Sequence, residues 1–353
     1  MTWMRRLNGE PLPWLLEPDP ANPGVRYFAL RALLDRPADD PELRQAQADV
    51  MSRGPVRAIL DAQQPDGYWD KPGAGYARKY TGTVWSVIFL AQFGADGRDP
   101  AVRRGGDYVL DHSRARAPYG GFSALTALYP MGMVQCLGGN LCAALIDLGW
   151  QDDPRLVEAL AWLARSITGE GIVPADEAPP RETKSGEDEV VRYFKGGNSG
   201  PGFECAANSR KPCAWGAVKA LLALSRVPEP ARTPTMQAAI ARGVDFLLSR
   251  DPAAADYPTP DDRPPSRSWF QLGYPLGYVT DVLQNLEALV ALGRGGDPRL
   301  ANALTWLLGK QDPAGRWRMA YTYNGKMWRD VEQKGQPSKW VTLRAIRALK
   351  QAT

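Results

Sequence analysis

The chain has 353 residues, of which 44% are hydrophobic and 23% charged, as in ordinary soluble globular proteins. The formal net charge of +4 is small for this length, so bulk electrostatics give no support to nucleic-acid binding. The N-terminus lacks an apolar run long enough for a signal peptide, and the uncharged stretch 117–146 is interrupted by prolines and glycines. We therefore expect a cytoplasmic protein with no transmembrane segment, and a peripheral membrane contact is left open.

A helix–turn–helix unit recurs along the chain, with its clearest copies at 90–110, 145–163 and 289–307. In each copy an apolar helix end is followed by a glycine, an Asp-Pro pair and a second helix. The glycine suits the left-handed residue that ends a helix, and Asp-Pro is typical of a helix start. These residues are Gly94, Gly149 and Gly293, followed by Asp99, Asp153 and Asp297.

The unit predicts two sets of helices that differ in composition. The first set is apolar on almost every face, which indicates burial on both sides, and the second is amphipathic. Inner helices ringed by outer helices predict one all-α domain over 1–353, an (α/α)6 toroid, with polar insertions at about 167–204 and 251–268. The inner helices are expected at about 25–34, 83–93, 139–149, 213–225, 278–292 and 340–350, and the outer ones at about 41–63, 100–112, 154–166, 234–250 and 298–310.

Two turns carry the pattern Gln, a few residues, Gly, any residue, Trp. With the alternating helices, this pattern resembles the repeats of the terpenoid cyclase and protein prenyltransferase superfamily, and the two ends of the chain resemble bacterial stand-alone toroids of that type. In that family the Gln amide bonds the next helix and the Trp stacks over it. The matching residues are Gln64, Gly67 and Trp69 in one copy, and Gln311, Gly315 and Trp317 in the other.

The resemblance implies a central cavity near the N-terminal ends of the inner helices and an isoprenoid-type substrate. Two family features are missing from this sequence. It has no Asp-any-Asp-Asp string, with which type II terpene cyclases protonate their substrates, and its one histidine, His112, does not reproduce the zinc ligands of protein prenyltransferases. Favourable interaction with a helix C-terminus explains His112.

Candidate catalytic residues lie in the segments that lead into the inner helices. Asp281 interrupts an apolar helix pattern and follows several aromatic residues, so we predict it as a proton donor, with Tyr278 and Glu204 on the same rim. An acid in an aromatic pocket suits carbocation chemistry, because desolvation raises its pKa and aromatic faces stabilise cations. The alternative is that Asp281 caps its own helix.

Candidate substrate-binding residues are aromatic or basic. The bases could hold an anion at the helix N-termini, and the alternative is that they are solvated. Lys219 is the more informative of these bases. It lies within an apolar helix run, and buried bases are rare without a partner. The candidates are Tyr80, Trp85, Trp215, Trp269, Phe270, Tyr274, Trp340, Lys79, Lys219 and Lys339.

Four cysteines, Cys136, Cys142, Cys205 and Cys213, lie at or near the starts of two inner helices. Four thiolates would suit a tetrahedral zinc ion. Their spacing is not that of a short zinc knuckle, so a reactive thiol and simple core packing remain alternatives.

These features lead to three hypotheses for function. The first is an enzyme of cyclase, isomerase or transferase type that acts on an isoprenoid or other apolar or anionic small molecule. The second is a non-catalytic toroid that binds a lipid, ligand or partner, with structural zinc or packing cysteines. The third is a carbohydrate-active (α/α)6 enzyme, which needs two acids facing the cavity.

Overall fold

The protein is an all-α toroid. The computed structural model describes residues 2–125, 132–175, 191–194 and 197–352. In these ranges six inner helical elements alternate with five outer ones. The inner helices are α2 (Pro23–Phe28, continued by a π-helical turn at Ala29–Leu33), α5 (Thr83–Phe93), α7 (Gln135–Asp147), α9 (Ala214–Arg226), α11 (Val282–Ala291) and α13 (Lys339–Gln351).

The outer layer consists of amphipathic helices that precede or follow the inner ones. A short helix, α1 (Leu12–Leu16), precedes the first inner helix. In the insertion at 167–204, two short strands, β1 (Ile172–Ala175) and β2 (Val191–Phe194), pair in parallel, and residues 176–190, 195 and 196 lie outside the described ranges. The outer helices are α3 (Pro41–Ser52) with α4 (Gly54–Asp61), α6 (Pro100–His112), α8 (Pro154–Thr168), α10 (Pro234–Leu248) and α12 (Ala301–Leu308).

The predicted helix boundaries are closely matched, with three differences. The first outer helix is broken at Arg53, which is extended, and Gly54, whose φ of +67° is left-handed. Helix α7 begins about four residues earlier than predicted, at Gln135. Helix α11 begins about four residues later, at Val282, because the Asp281 side chain caps it there. The Asp-Pro signals behave as predicted: the Asp99 carboxylate accepts from the Ala101 amide at 2.8 Å.

The ring of inner helices is closed. Helix α13 packs between α11 and α2, and Gly24 of α2 approaches the Phe93 carbonyl of α5 too closely to admit a Cβ atom. Across the seam the Trp340 indole donates to Asn22 Oδ1 at 2.9 Å, and Lys350 Nζ donates to the Ala32 carbonyl at 3.1 Å.

The N-terminal segment occupies the place of the sixth outer element. It packs against α13, and Gln311 ties it to the last outer helix. Gln311 Oε1 accepts from the Asn8 amide at 3.0 Å, and Gln311 Nε2 donates to the Arg6 carbonyl at 3.2 Å. The ring is therefore sealed by contacts between the two ends of the sequence. None of the described helices is long and apolar enough to cross a bilayer.

Two buried tryptophans connect outer helices to the following inner helices. The Trp69 indole donates to the Ile59 carbonyl at 2.6 Å and its backbone N–H to Thr83 Oγ1 at 3.0 Å. The Trp317 indole donates to the Leu307 carbonyl at 2.8 Å and its N–H to Thr342 Oγ1 at 2.9 Å.

The glutamine amides have different partners from those that the resemblance implied. Gln311 binds the N-terminal segment. In the first copy the bonding amide belongs to Gln63 rather than Gln64, and it donates to the Ala101 carbonyl of α6 at 2.9 Å. The links from the outer helices to the following inner helices therefore come from Trp69 and Trp317, each paired with a threonine.

We predict that Thr342→Val destabilises the protein by about 1–3 kcal/mol, because it leaves the buried Trp317 N–H without an acceptor. The matched control is Thr305→Val, since Thr305 is exposed on α12 and should change stability by less than about 0.5 kcal/mol. Urea unfolding followed by tryptophan fluorescence measures both. Equal stabilities of the two variants would show that the hydrogen bond from the Trp317 N–H to Thr342 does not stabilise the fold.

Candidate functional site

An aromatic cluster lies at the N-terminal ends of the inner helices, and it unites five of the predicted residues. Tyr80 and Trp85 have ring centroids 5.3 Å apart, and Tyr278 lies 6.2 Å from Trp85 and 6.4 Å from Trp215. Lys79 Nζ lies 4.5 Å from the Tyr278 ring centroid and 3.4 Å from its hydroxyl. Burial raises the pKa of Tyr80.

Other predicted aromatic and basic residues lie elsewhere. Trp269 packs against Tyr257, and Phe270 packs against Trp306 of the outer helix α12. Lys339 forms ion pairs of 3.6–3.8 Å with two carboxylates of the N-terminal segment. The structure therefore does not gather all the predicted substrate-binding residues around one pocket.

Residues 273–281, the ceiling segment, cross the ring and bond the inner helices. The Leu276 backbone and the Gln92 side chain of α5 exchange two hydrogen bonds of 2.7 Å. The amide of Asn140 on α7 donates to the Gly277 carbonyl at 3.0 Å, and Lys219 Nζ of α9 donates to the Val279 carbonyl at 3.2 Å. This segment closes the centre of the ring from the side of the long loops.

Asp281, at the end of the ceiling segment, is 2% exposed and forms the bonds of a helix cap and an ion pair. Its carboxylate accepts from the Gln284 amide at 2.7 Å and the Gly273 amide at 3.3 Å. It also accepts two bonds of 3.0 and 3.1 Å from Arg344. These bonds are those of a helix cap and a buried ion pair, so they favour the helix-cap alternative over the predicted proton donation.

Arg344 uses all five of its N–H groups within this network. Besides Asp281 it donates to both Glu287 oxygens, at 3.0 and 2.7 Å, and to the Gly273 carbonyl at 2.8 Å. Burial lowers the pKa of Arg344, but attraction by Asp281 and Glu287 raises it by more, so its pKa is raised. The other predicted acid, Glu204, is half-buried and pairs with Arg210 at 3.4 Å.

Three of the four cysteines lie close to one another. The Cys213 thiol donates a hydrogen bond to the Cys205 sulfur, which lowers the pKa of Cys205 and raises that of Cys213. Burial raises the pKa of Cys136 to about 11, and Cys205 is near enough to add to this shift. Cys142 is fully buried in the hydrophobic core.

The residues of the described ranges form no group of three or more His, Cys, Asp or Glu side chains that could hold a metal ion. Zinc binding by the cysteines therefore gains no support from this geometry.

The ring encloses a cavity of about 710 Å³ on its axis, the axial cavity. It is lined by the inward faces of all six inner helices, its ceiling includes Tyr274 and Leu276, and its rim includes the exposed Arg31 and Arg98 near the short turns. It is thus lined by the C-terminal halves of most inner helices, whereas the sequence placed the site at their N-terminal ends. The difference arises because the ceiling segment fills the ring from the long-loop side.

The wall of the axial cavity is partly aromatic and partly charged. Tyr274 and Trp340 stack with ring centroids 4.3 Å apart, and Phe28 lies 6.4 Å from Trp340. The charged part includes Arg226, paired with Asp147 at 2.8 Å. Other charged residues that line the cavity from the inner helices are Arg31, Lys219, Glu287, Arg344 and Arg347.

Lys219, a predicted residue, lies in this wall and is 1% exposed. Its Nζ donates to the Val279 carbonyl at 3.2 Å and bonds Gln284 Oε1. Burial lowers its pKa to about 7, although Asp281 opposes the shift. Perturbed groups of this kind cluster at functional sites.

The sequence interpretation missed three residues of the cavity wall, Arg226, Glu287 and Arg347. The sequence does contain a pattern that points to Arg347. It follows Trp340 and Arg344 at helical spacing, so all three lie on the face of α13 that lines the cavity. In the sequence, Arg226 and Glu287 look like charged residues on the solvent-exposed face of a helix. That they face the cavity follows only from how the helices are arranged in the ring.

Comparisons with known proteins give distant similarities. No family model matches the sequence, and no curated protein matches it. A solved protein from Actinoplanes is 16% identical over 94% of this chain and 90% of its own, with a TM-score of 0.43. The type II terpene cyclase MstE from Scytonema, in complex with geranylgeranyl dihydroxybenzoate, is 17% identical over 84% of this chain and 95% of its own, with a TM-score of 0.33. At TM-scores below 0.5 these similarities carry no argument about activity.

We predict that the stability difference between the wild type and Lys219→Met changes with pH. Between pH 7 and 10.5 the folded lysine is neutral while the unfolded one binds a proton, so the wild type gains stability as pH rises, by roughly 1.4 kcal/mol per pH unit. Below pH 7 Lys219 is protonated in both the folded and the unfolded protein, so the buried charge destabilises the wild type by its full amount. Thermal unfolding at pH 6 to 9.5 measures this, with the exposed Lys310→Met as control. If the unfolding temperatures of the wild type and Lys219→Met change with pH in the same way, Lys219 is not neutral in the folded protein.

We also predict that Asp281→Ala destabilises the protein by about 3–5 kcal/mol, because it leaves Arg344 buried with one carboxylate fewer and removes the cap of α11. Asp281→Asn should cost less, since an amide oxygen still caps the helix. Chemical denaturation compares the two variants. If both are as stable as the wild type, Asp281 does not hold the ceiling segment.

Proposed function

We propose that the protein is an enzyme that binds an isoprenoid-like molecule in the axial cavity, where Lys219 transfers a proton. Two features support an amphipathic organic ligand. The cavity has the size of small-molecule sites in proteins, and its wall joins aromatic and aliphatic side chains to charged ones. The resemblance of the Gln-to-Trp turns to terpenoid cyclase repeats also favours an isoprenoid.

The hydrocarbon part of the ligand would contact the apolar wall. Trp340 and Tyr274 stack there, and Phe28 adds a further ring. Ile88 and Leu343 also line the cavity. Aromatic faces attract positive charge, so this wall suits an unsaturated chain whose reaction develops cationic character.

The observation that carries the proposal is the environment of Lys219. An amine whose pKa burial lowers to about 7 is neutral in a large share of molecules near physiological pH, as a general base requires. In the neutral form its two N–H groups match two acceptors, the Val279 carbonyl and Gln284 Oε1. Its lone pair is then left to accept a proton from the substrate, and the resulting ammonium group can return that proton at another atom.

The carboxylates of the cavity wall are less suited to this task. Asp147 pairs with Arg226 and Glu287 with Arg344. Asp96, at the rim, pairs with Arg98. Because a carbohydrate-active site needs two acids free to exchange protons or to attack, these pairs disfavour the carbohydrate alternative. The non-catalytic alternative requires only the cavity, so a measurement of turnover must separate it from the proposal.

The test is incubation in D₂O with a panel of isoprenoid probes, namely farnesol, farnesoic acid, farnesyl diphosphate and geranylgeranyl diphosphate. Mass spectrometry of the extracts detects deuterium incorporation, isomerisation or cyclisation. We expect turnover of at least one probe, and Lys219→Met should reduce it by about 10²–10⁴-fold. Lys310→Met, on the outer surface of the ring, should retain wild-type turnover.

Equal turnover by wild type and Lys219→Met would remove the catalytic role of Lys219. Saturable binding of the probes without any turnover would instead support the non-catalytic toroid. Absence of both binding and turnover for the whole panel would contradict the proposed function.

A further inference from the structure

Arg347 is a charged residue of the cavity wall that forms no ion pair with any residue in the described part of the chain. It lies one turn beyond Arg344 on the cavity-facing side of α13. Within the described ranges no hydrogen bond or ion pair involves its guanidinium, whose Cζ lies 5.7 Å from the centroid of the Phe28 ring. Burial lowers the pKa of Arg347, and an arginine stays protonated in proteins even so.

The neighbouring charges do not neutralise Arg347. Arg344 occupies both oxygens of Glu287. Arg226 donates to both oxygens of Asp147 from Nε, at 2.8 and 2.9 Å. Both carboxylates are therefore already hydrogen-bonded to another guanidinium. Burial lowers the pKa of Arg347, attraction by Glu287 and Asp147 offsets this only in part, and Arg226 repels the charge.

Arg347 is half-buried, and a cation that loses contact with water without gaining a partner is costly, so proteins pair such groups or use them to bind a ligand. The five N–H donors of a guanidinium match the oxygens of a carboxylate or phosphate. The open rim carries Arg31, Arg98 and Arg103. Asp96 pairs with Arg98 at 2.8 Å, so these rim residues keep a net positive charge, which favours the approach of an anion from that side.

We infer that Arg347 binds the anionic end, a phosphate or carboxylate, of the ligand that occupies the axial cavity. This inference rests on the proposed function for the location of the ligand, and it adds the chemical class of the ligand's polar end. The hydrocarbon chain then lies along Phe28 and the stacked pair Tyr274 and Trp340, deeper under the ceiling segment.

The test is isothermal titration of wild type, Arg347→Gln and Arg347→Lys with farnesyl diphosphate, with farnesol as the uncharged ligand of the same chain, and with inorganic diphosphate. We expect the wild type to bind farnesyl diphosphate at least about tenfold more tightly than farnesol. Arg347→Gln should remove this preference and leave farnesol binding unchanged, and Arg347→Lys should restore part of it. The control is Arg299→Gln, on the outer surface and paired with Asp297, which should bind as the wild type does.

Thermal unfolding separates a ligand-binding role from a structural one. Because Arg347 forms no hydrogen bond or ion pair with the residues that the structure describes, Arg347→Gln should keep or raise the unfolding temperature of the ligand-free protein, and inorganic diphosphate should stabilise the wild type more than this variant. A lower unfolding temperature, with no change in the preference for the diphosphate, would overturn the inference. Binding of farnesol and farnesyl diphosphate with equal affinity by the wild type would also overturn it and leave the cavity proposal standing. If none of the three probes binds the wild type, the cavity proposal fails as well.

Discussion

The buried ion pair between Arg344 and Asp281 is the interaction on which the site depends. Arg344 joins the last inner helix to the ceiling segment and, through Glu287, to the helix before it. Because every donor of its guanidinium is satisfied, the group stays charged in the interior and resists displacement. The pair thereby holds the ceiling segment across the ring. The ceiling segment fills one end of the ring, so the axial cavity lies at the other end.

The same network sets the chemistry of the cavity. Asp281 and Glu287 are bound to Arg344. Among the residues that the structure describes, Lys219 therefore bonds two neutral oxygens and no carboxylate. This favours its neutral form, because burial of a charge without a counter-ion is costly. Arg347 carries a fixed charge that no carboxylate of the described residues pairs with. A titratable amine and such a guanidinium in the cavity wall lower the stability of the fold, and losses of this kind are typical of functional sites.

Much of the fold could be predicted from the sequence, because local signals determine it. Apolar runs identified the inner helices, and a glycine followed by Asp-Pro marked the turns between layers. Residues whose roles depend on distant partners were harder to interpret. Asp281 looked like an acid in an aromatic pocket, and its partner Arg344 lies 63 positions further along the chain. The amide of Gln63 rather than Gln64 contacts α6, a distinction that depends on how the turn is oriented. The position of the cavity could not be predicted, since it follows from a loop that folds into the ring.

The most direct test of this account is a crystal structure of the protein soaked with farnesyl diphosphate. We predict density for the ligand inside the axial cavity, with the chain against Trp340 and the diphosphate within hydrogen-bond distance of Arg347. Density at the opposite end of the ring, among Tyr278, Tyr80 and Trp215, would contradict the account, because it would place the site above the ceiling segment rather than beneath it.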